Sequence, residues 1–261
     1  MNDHEKRAFL IRRLQGEMPM YKKLPVPDGG DEQWQMLRSL MNVRPPLPAR
    51  ADFLAVQDEY LQKKTAEKGI VGMEDIESSN NDERLAVWRG DITRLAADAI
   101  VNAGNSALLG CFRPCHSCID NIIHTYAGVQ LRLECNEIME AQGHDEPAGG
   151  ARITGAYNLP CRHVIHTVGP MVQGVLTDDD CETLASCYRS CLELAADNGL
   201  RSIAFCCIST GVFGFPQARA AAIAVGTVRE WLGSHGDSTI DKVIFNVFKE
   251  EDDELYRQLV K

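Results

Sequence analysis

Three observations predict an α/β domain in which helices cover a mixed sheet. From Arg84 onward, short apolar runs alternate with longer segments of helical spacing. The runs are continuously apolar, as strands buried on both faces must be. Glycine, asparagine and proline punctuate the joints between them. The first 80 residues lack this alternation and read as a small helical extension, which divides the chain into residues 1–80 and 81–261.

In the extension, residues 5–14 have helical spacing and precede a stretch broken at Pro19, Pro25 and Pro27. A second helix over 31–41 aligns Trp34, Leu37 and Met41 on one face. The run Arg44-Pro45-Pro46-Leu47-Pro48 stops it, and a third helix over 52–64 aligns Phe53, Val56 and Tyr60. Such amphipathic faces suit a cap packed on the main domain. The polar run 78–82 reads as a connector, and nothing before it carries catalytic spacing.

In the main domain, strands are expected over 85–88, 99–101, 151–156, 163–168, 202–208 and 243–248. A helix over 119–140 is interrupted near Gly128, and a long one over 178–198 carries Leu184, Cys187, Cys191, Leu194 and Ala195. Another starts at Pro216, a position that proline favours, and the last covers 251–260.

Composition narrows the function. A formal charge of −10 without a Lys/Arg cluster argues against a nucleic-acid interface. No apolar run reaches the roughly eighteen residues of a membrane span, and the N-terminus lacks the apolar core of a secretory signal. Ten cysteines in that setting point to reduced thiols in the cytoplasm, where clustered cysteine binds metal or does redox work.

The cluster lies at Cys111, Cys115, His116 and Cys118. Zinc takes thiolate and imidazole ligands, four in closed structural sites and three in catalytic ones. Cys111, His116 and Cys118 form C-x4-H-x-C, short enough for one loop to wrap Zn2+. Cys115 is a candidate fourth ligand, and His124 can also approach. The rival reading is a redox C-x-x-C at Cys115 and Cys118, at a helix start that lowers thiol pKa. The scattered cysteines 135, 181, 187, 191, 206 and 207 lie on apolar faces and suit a core.

Ser209-Thr210-Gly211-Val212-Phe213-Gly214-Phe215-Pro216 joins an apolar strand to a helix. Its glycines let backbone approach a ligand, and consecutive N–H groups there can hold an anion. Asp91 either caps a short helical turn or accepts from a base. Asn102 and Asn105 stand where open α/β sheets bind ligands. Satisfying turn backbone is the plainer role for both, and suits Asn102 better.

Gly90-Asp91-Ile92-Thr93, Val101-Asn102-Ala103-Gly104-Asn105-Ser106, Val164 to Pro170 and the 209–216 loop, in this order, make residues 84–250 resemble a macrodomain, the ADP-ribose-binding module. Where MacroD-like hydrolases carry a glycine-rich run, this chain has residues 111–120. That insertion is similar to the zinc-dependent microbial branch, which also has an N-terminal helical extension. The resemblance implies a three-layer α/β/α fold. It implies that Asp91 accepts from the adenine amino group beside Ile92, and that Asn105 and Phe213 meet the distal ribose. It further implies that the amides of Ser209, Thr210, Gly211, Val212 and Phe213 hold the diphosphate. Cys118, Ile119 and Asp120 line the reacting end, with Asp120 and Asn105 catalytic and Cys111, His116 and Cys118 on zinc.

The implied activity is hydrolysis of mono-ADP-ribose from protein aspartate or glutamate, the protein being by analogy a lipoate carrier modified by a sirtuin-type transferase. Deacetylation of O-acetyl-ADP-ribose and a non-catalytic reader with structural zinc are the alternatives.

Overall fold

A computed structural model describes the chain over residues 1–261. The extension holds α1 (Asp3–Glu17), α2 (Gly30–Val43) and α3 (Ala51–Glu67). The main domain runs β1 (Leu85–Arg89), β2 (Ala99–Ala103), α4 (Ile119–Ala127), α5 (Val129–Gln142), β3 (Ala151–Gly155) and β4 (His163–Thr167). It continues with α6 (Asp178–Asp197), β5 (Ser202–Phe205), α7 (Gln217–Ser234), β6 (Lys242–Val247) and α8 (Glu250–Val260). β5 ends three residues before the expected boundary, at Phe205, and the Cys207 carbonyl beyond it turns to accept from the amide and hydroxyl of Thr210.

The six strands form one mixed sheet in the order β1-β6-β5-β2-β4-β3. Only β3 runs antiparallel, against β4. Parallel pairs need crossover connections, and the helices supply them in an α/β/α arrangement, α4 and α5 packing together and α6, α7 and α8 together. The continuous apolar runs are explained by this burial: Ile100, Val101, Val164, Ile165, Ile203 and Ile244 are all fully buried. Each such side chain contributes about 1.5–3 kcal/mol. One consequence positions the site. All parallel strands end along the same edge, so the loops after β1, β2, β4 and β5 emerge side by side.

The extension has its own core of Leu10, Ile11, Leu14, Leu37, Phe53 and Leu61, which Val129 of α5 joins. The connector is laid against the sheet: Val71 bridges Leu95, Ser78 bridges Ala86, and Ile76 is buried in the main core. Gly128 separates α4 from α5 at φ +99°, and a Cβ there would fall 2.6 Å from Gln57 Nε2 of α3. Glycine is therefore required both by conformation and by close approach. Gln57 Oε1 accepts the Val129 N–H at 3.0 Å, satisfying one donor at the start of α5. No helix is long and apolar enough to cross a membrane.

Arg132 of α5 fastens the two units. Its buried guanidinium donates to the carbonyls of Leu109 (2.6 Å), Met41 (3.0 Å) and Arg44. Arg132→Met should leave three carbonyls without their charged donor and lower stability by about 3 kcal/mol. Urea unfolding with an unchanged m-value is the check.

Candidate active site

The loop after β5 is shaped by backbone bonds within it. Ser209 sits at φ +63°, its carbonyl accepts the Phe215 N–H at 3.0 Å, and Gly214 N–H donates to Gly211 O at 3.1 Å. The amides of Gly211, Val212 and Phe213 have no acceptor within the chain. Three consecutive donors of this kind form an anion-binding nest without any basic side chain. Thr210 does not join them, since its N–H turns back to Cys207 O at 3.4 Å. The loop after β4 braces this one. A Cβ on Gly169 would fall 2.1 Å from Ser209 Oγ, and Val172 N–H donates to Phe213 O at 2.9 Å.

Asp91 follows β1. Its Oδ1 accepts from the amide (3.0 Å) and hydroxyl (2.6 Å) of Thr93, so it caps the turn. Its Oδ2 accepts from Lys68 Nζ at 2.7 Å, just beyond the end of α3. Burial raises the Asp91 pKa, but the Lys68 and Thr93 hydrogen bonds outweigh it and the carboxyl titrates below its ordinary value. Lys68 also lies over the Tyr126 ring, 3.4 Å from its centroid. The Ile92 side chain is buried in the core, and its N–H has no acceptor in the chain.

Asn102, in β2, and Asn105, just after it, differ in what they touch. Asn105 satisfies its own turn, accepting from Ala107 N–H at 3.1 Å and donating to Gly110 O at 3.4 Å. Asn102 is buried, and its Nδ2 donates both to Asp120 Oδ1 (2.8 Å) and to His166 Nδ1 (3.1 Å). Donation to Nδ1 puts the His166 proton on Nε2, which faces Thr154 Oγ1 at 3.0 Å. Burial holds His166 neutral, its pKa lowered to about 4. Asp120 is not the helix cap. Cys118 caps α4 by accepting Asn121 N–H at 3.4 Å, while the Asp120 carboxyl turns inward. Burial raises the Asp120 pKa to about 6, against the opposing pull of Asn102 and Arg132.

Two sets of soft ligands come together. The ligand atoms of Cys111, His116 and Cys118 lie within 4.8 Å of one another, with Cys111 Sγ 3.6 Å from His116 Nδ1. In a tetrahedral zinc site such atoms stand about 3.5–3.8 Å apart, so the set fits that ion. Cys115 lies outside it: at φ +51°, its Sγ meets Ser39 Oγ (3.2 Å) and Gln35 O (3.4 Å) of α2. That placement takes it out of both the ligand set and a C-x-x-C redox pair. The buried group His124, Cys135 and His166 has similar spacing, but the His166 Nε2 carries a proton and burial pushes the Cys135 thiol well up. It is a buried polar layer beneath Asp120, with His124 Nε2 3.5 Å from Asp120 Oδ1.

An α/β/α module with an anion nest and an acidic group on one sheet edge defines a class of binding and transfer domains, and comparison with known proteins narrows it. Residues 101–224 match the macro domain family model. A protein-ADP-ribose hydrolase of Treponema medium is 54% identical over 262 residues, covering 100% of both chains. One of Staphylococcus aureus is 47% identical over 251 residues, covering 96% of this chain and 93% of its own. The Trypanosoma brucei macrodomain in complex with ADP-ribose superposes with a TM-score of 0.66 at 32% identity, covering 86% of this chain and 95% of that one. The chain belongs to the macro domain family.

Asp120 yields a signed prediction. A raised carboxyl pKa stabilises the fold below about pH 4, and that contribution is lost as the pH rises through about 6. Asp120→Asn removes the penalty, so in a chelator the variant should exceed the parent by on the order of 2–3 kcal/mol at pH 7–8 and match it near pH 4. Denaturant melts across that range test it.

Proposed function

We propose that this chain is a zinc-dependent hydrolase that releases ADP-ribose from aspartate- or glutamate-linked protein. The observation that carries the reading is the three-membered set of Cys111, His116 and Cys118, immediately before a buried carboxylate at the ligand-facing sheet edge. The names of the Treponema and Staphylococcus relatives support the activity. The unpartnered amides of Gly211, Val212 and Phe213 suit a diphosphate, and half-buried Phe213 suits packing on the distal ribose. Asp91 and the Ile92 amide suit an adenine edge. The lipoate-carrier protein inferred from the resemblance is retained as the proposed partner, in a cytoplasmic setting.

The linkage sets the chemical demands. Water bonds to the anomeric carbon of the ribose, the bond from that carbon to the ester oxygen breaks, and a protein carboxylate and ADP-ribose separate. A carboxylate leaves without protonation, so the site has to orient water, remove one proton and stabilise charge near the ribose. Cys111, His116 and Cys118 would hold zinc, which when bound would supply Lewis-acid polarisation. Asp120 takes the proton from the attacking water, and a carboxyl whose pKa is raised toward neutrality is suited to that transfer. Asn102 holds one Asp120 oxygen in place, leaving the other for water. The Gly211–Phe213 amides fix the diphosphate and with it the ribose. A closed reader site requires a fourth ligand, and Cys115 is engaged on α2.

His116→Ala should lower release of ADP-ribose from modified protein by at least roughly a hundredfold, the scale of losing one electrostatic element, while ADP-ribose still binds. A chelator should do the same to the parent chain. Unchanged release in both experiments would remove zinc from the mechanism, and binding without release in the untreated parent would make the chain a reader.

A further inference from the structure

We infer that helix α2 of the extension is the positioning element of the cysteine loop, with Arg38 as its principal residue. The inference rests on the zinc reading of Cys111, His116 and Cys118. Residues 111–118 contain no helix or strand, so something else must hold their backbone. Arg38 Nη2 donates to His116 O at 2.6 Å and to Asn121 Oδ1 at 2.8 Å. The Asn121 amide, fixed by that bond, donates to Cys111 O (3.2 Å) and Arg113 O (2.9 Å). One guanidinium and one buried amide thus hold three carbonyls of the loop, two of them on ligand residues.

A second anchor lies one turn further along α2. Asn42 Oδ1 accepts the Cys115 N–H at 2.9 Å while its Nδ2 donates to Thr125 Oγ1 at 3.0 Å. Ser39 meets Cys115 Sγ, and the Gln35 carbonyl meets the same sulfur. These bonds hold Cys115 at φ +51°, a conformation that a non-glycine residue adopts at a cost. Positions 35, 38, 39 and 42 share one helix face, spaced at three and four residues. The neighbouring stripe of Leu37, Leu40 and Met41 is buried, so packing of the extension's core fixes where the polar stripe points. Through that stripe the extension sets the separation and orientation of the metal ligands.

The test uses the full chain loaded with cobalt(II), whose visible bands report ligand geometry, and measures transfer of the metal to a chelator. Arg38→Met should weaken metal retention 10–100-fold, the range for residues that orient ligands, and shift the bands. Arg38→Lys, keeping the charge on a single donor nitrogen, should recover part of both. Melting in chelator, where no metal contributes, should show the Arg38→Met chain folded. Should it unfold instead, Asn42→Ala, which removes the other anchor, is read in the same way. Parent-like bands and retention in a folded variant would overturn the inference, and loss of metal in Cys118→Ser would then leave the zinc reading standing. A parent chain that takes up no cobalt would overturn that reading and the inference with it.

Discussion

Asp120 is a carboxyl group held out of water, and the interaction that makes this tolerable is the donation from Asn102. A buried carboxylate without a partner is severely destabilising. Asn102 can serve only if its amide stays oriented with nitrogen toward the acid. That orientation is enforced from the other side: His166 presents an unprotonated Nδ1 because its Nε2–H faces Thr154. The chain of bonds therefore runs from β3, through β4 and β2, to the first turn of α4. The sheet register sets this chain of bonds, since Asn102 pairs with His166 and Arg152 with His166 across adjacent ladders. A slip of one residue would turn these side chains to the opposite face.

Much of the fold was legible because it depends on local pattern. Continuous apolar runs mark doubly covered strands, and the α6 helix shows its buried stripe of Leu184, Cys187, Cys191 and Ala195 at helical spacing. The loops were legible for a related reason: the left-handed and close-packed positions at 169, 209 and 214 leave a trace of glycine and serine. Roles that depend on distant partners were not legible. Asn102 and Asn105 are the same residue type three positions apart, and only the strand's direction decides which faces inward. Cys118 caps α4 because its side chain stands at the last non-helical position, two residues before Asp120, and the sequence does not mark that boundary. Lys68, 23 residues before Asp91, gave no signal of its own.

The extension shows the same limit from the other side. Its apolar faces predict a cap, and the buried cluster around Leu10, Leu37 and Leu61 accounts for them. The polar stripe of α2 reads as an ordinary solvated face until the loop at 111–118 is placed against it. Charge and hydrogen-bonding capacity on a helix are ambiguous in one dimension, because water and a neighbouring backbone offer the same kind of partner.

Gly128 ties the shape of one part of the chain to the presence of another. Any side chain there strikes Gln57 and Asn158, so the joint between α4 and α5 is shaped to receive α3. A lineage that lost its first 70 residues would inherit a domain moulded around a missing neighbour, with Val129 bare and the Arg132 guanidinium short of two of its carbonyls. The two cores are thus shaped against each other, and each leaves polar and apolar groups exposed without its neighbour.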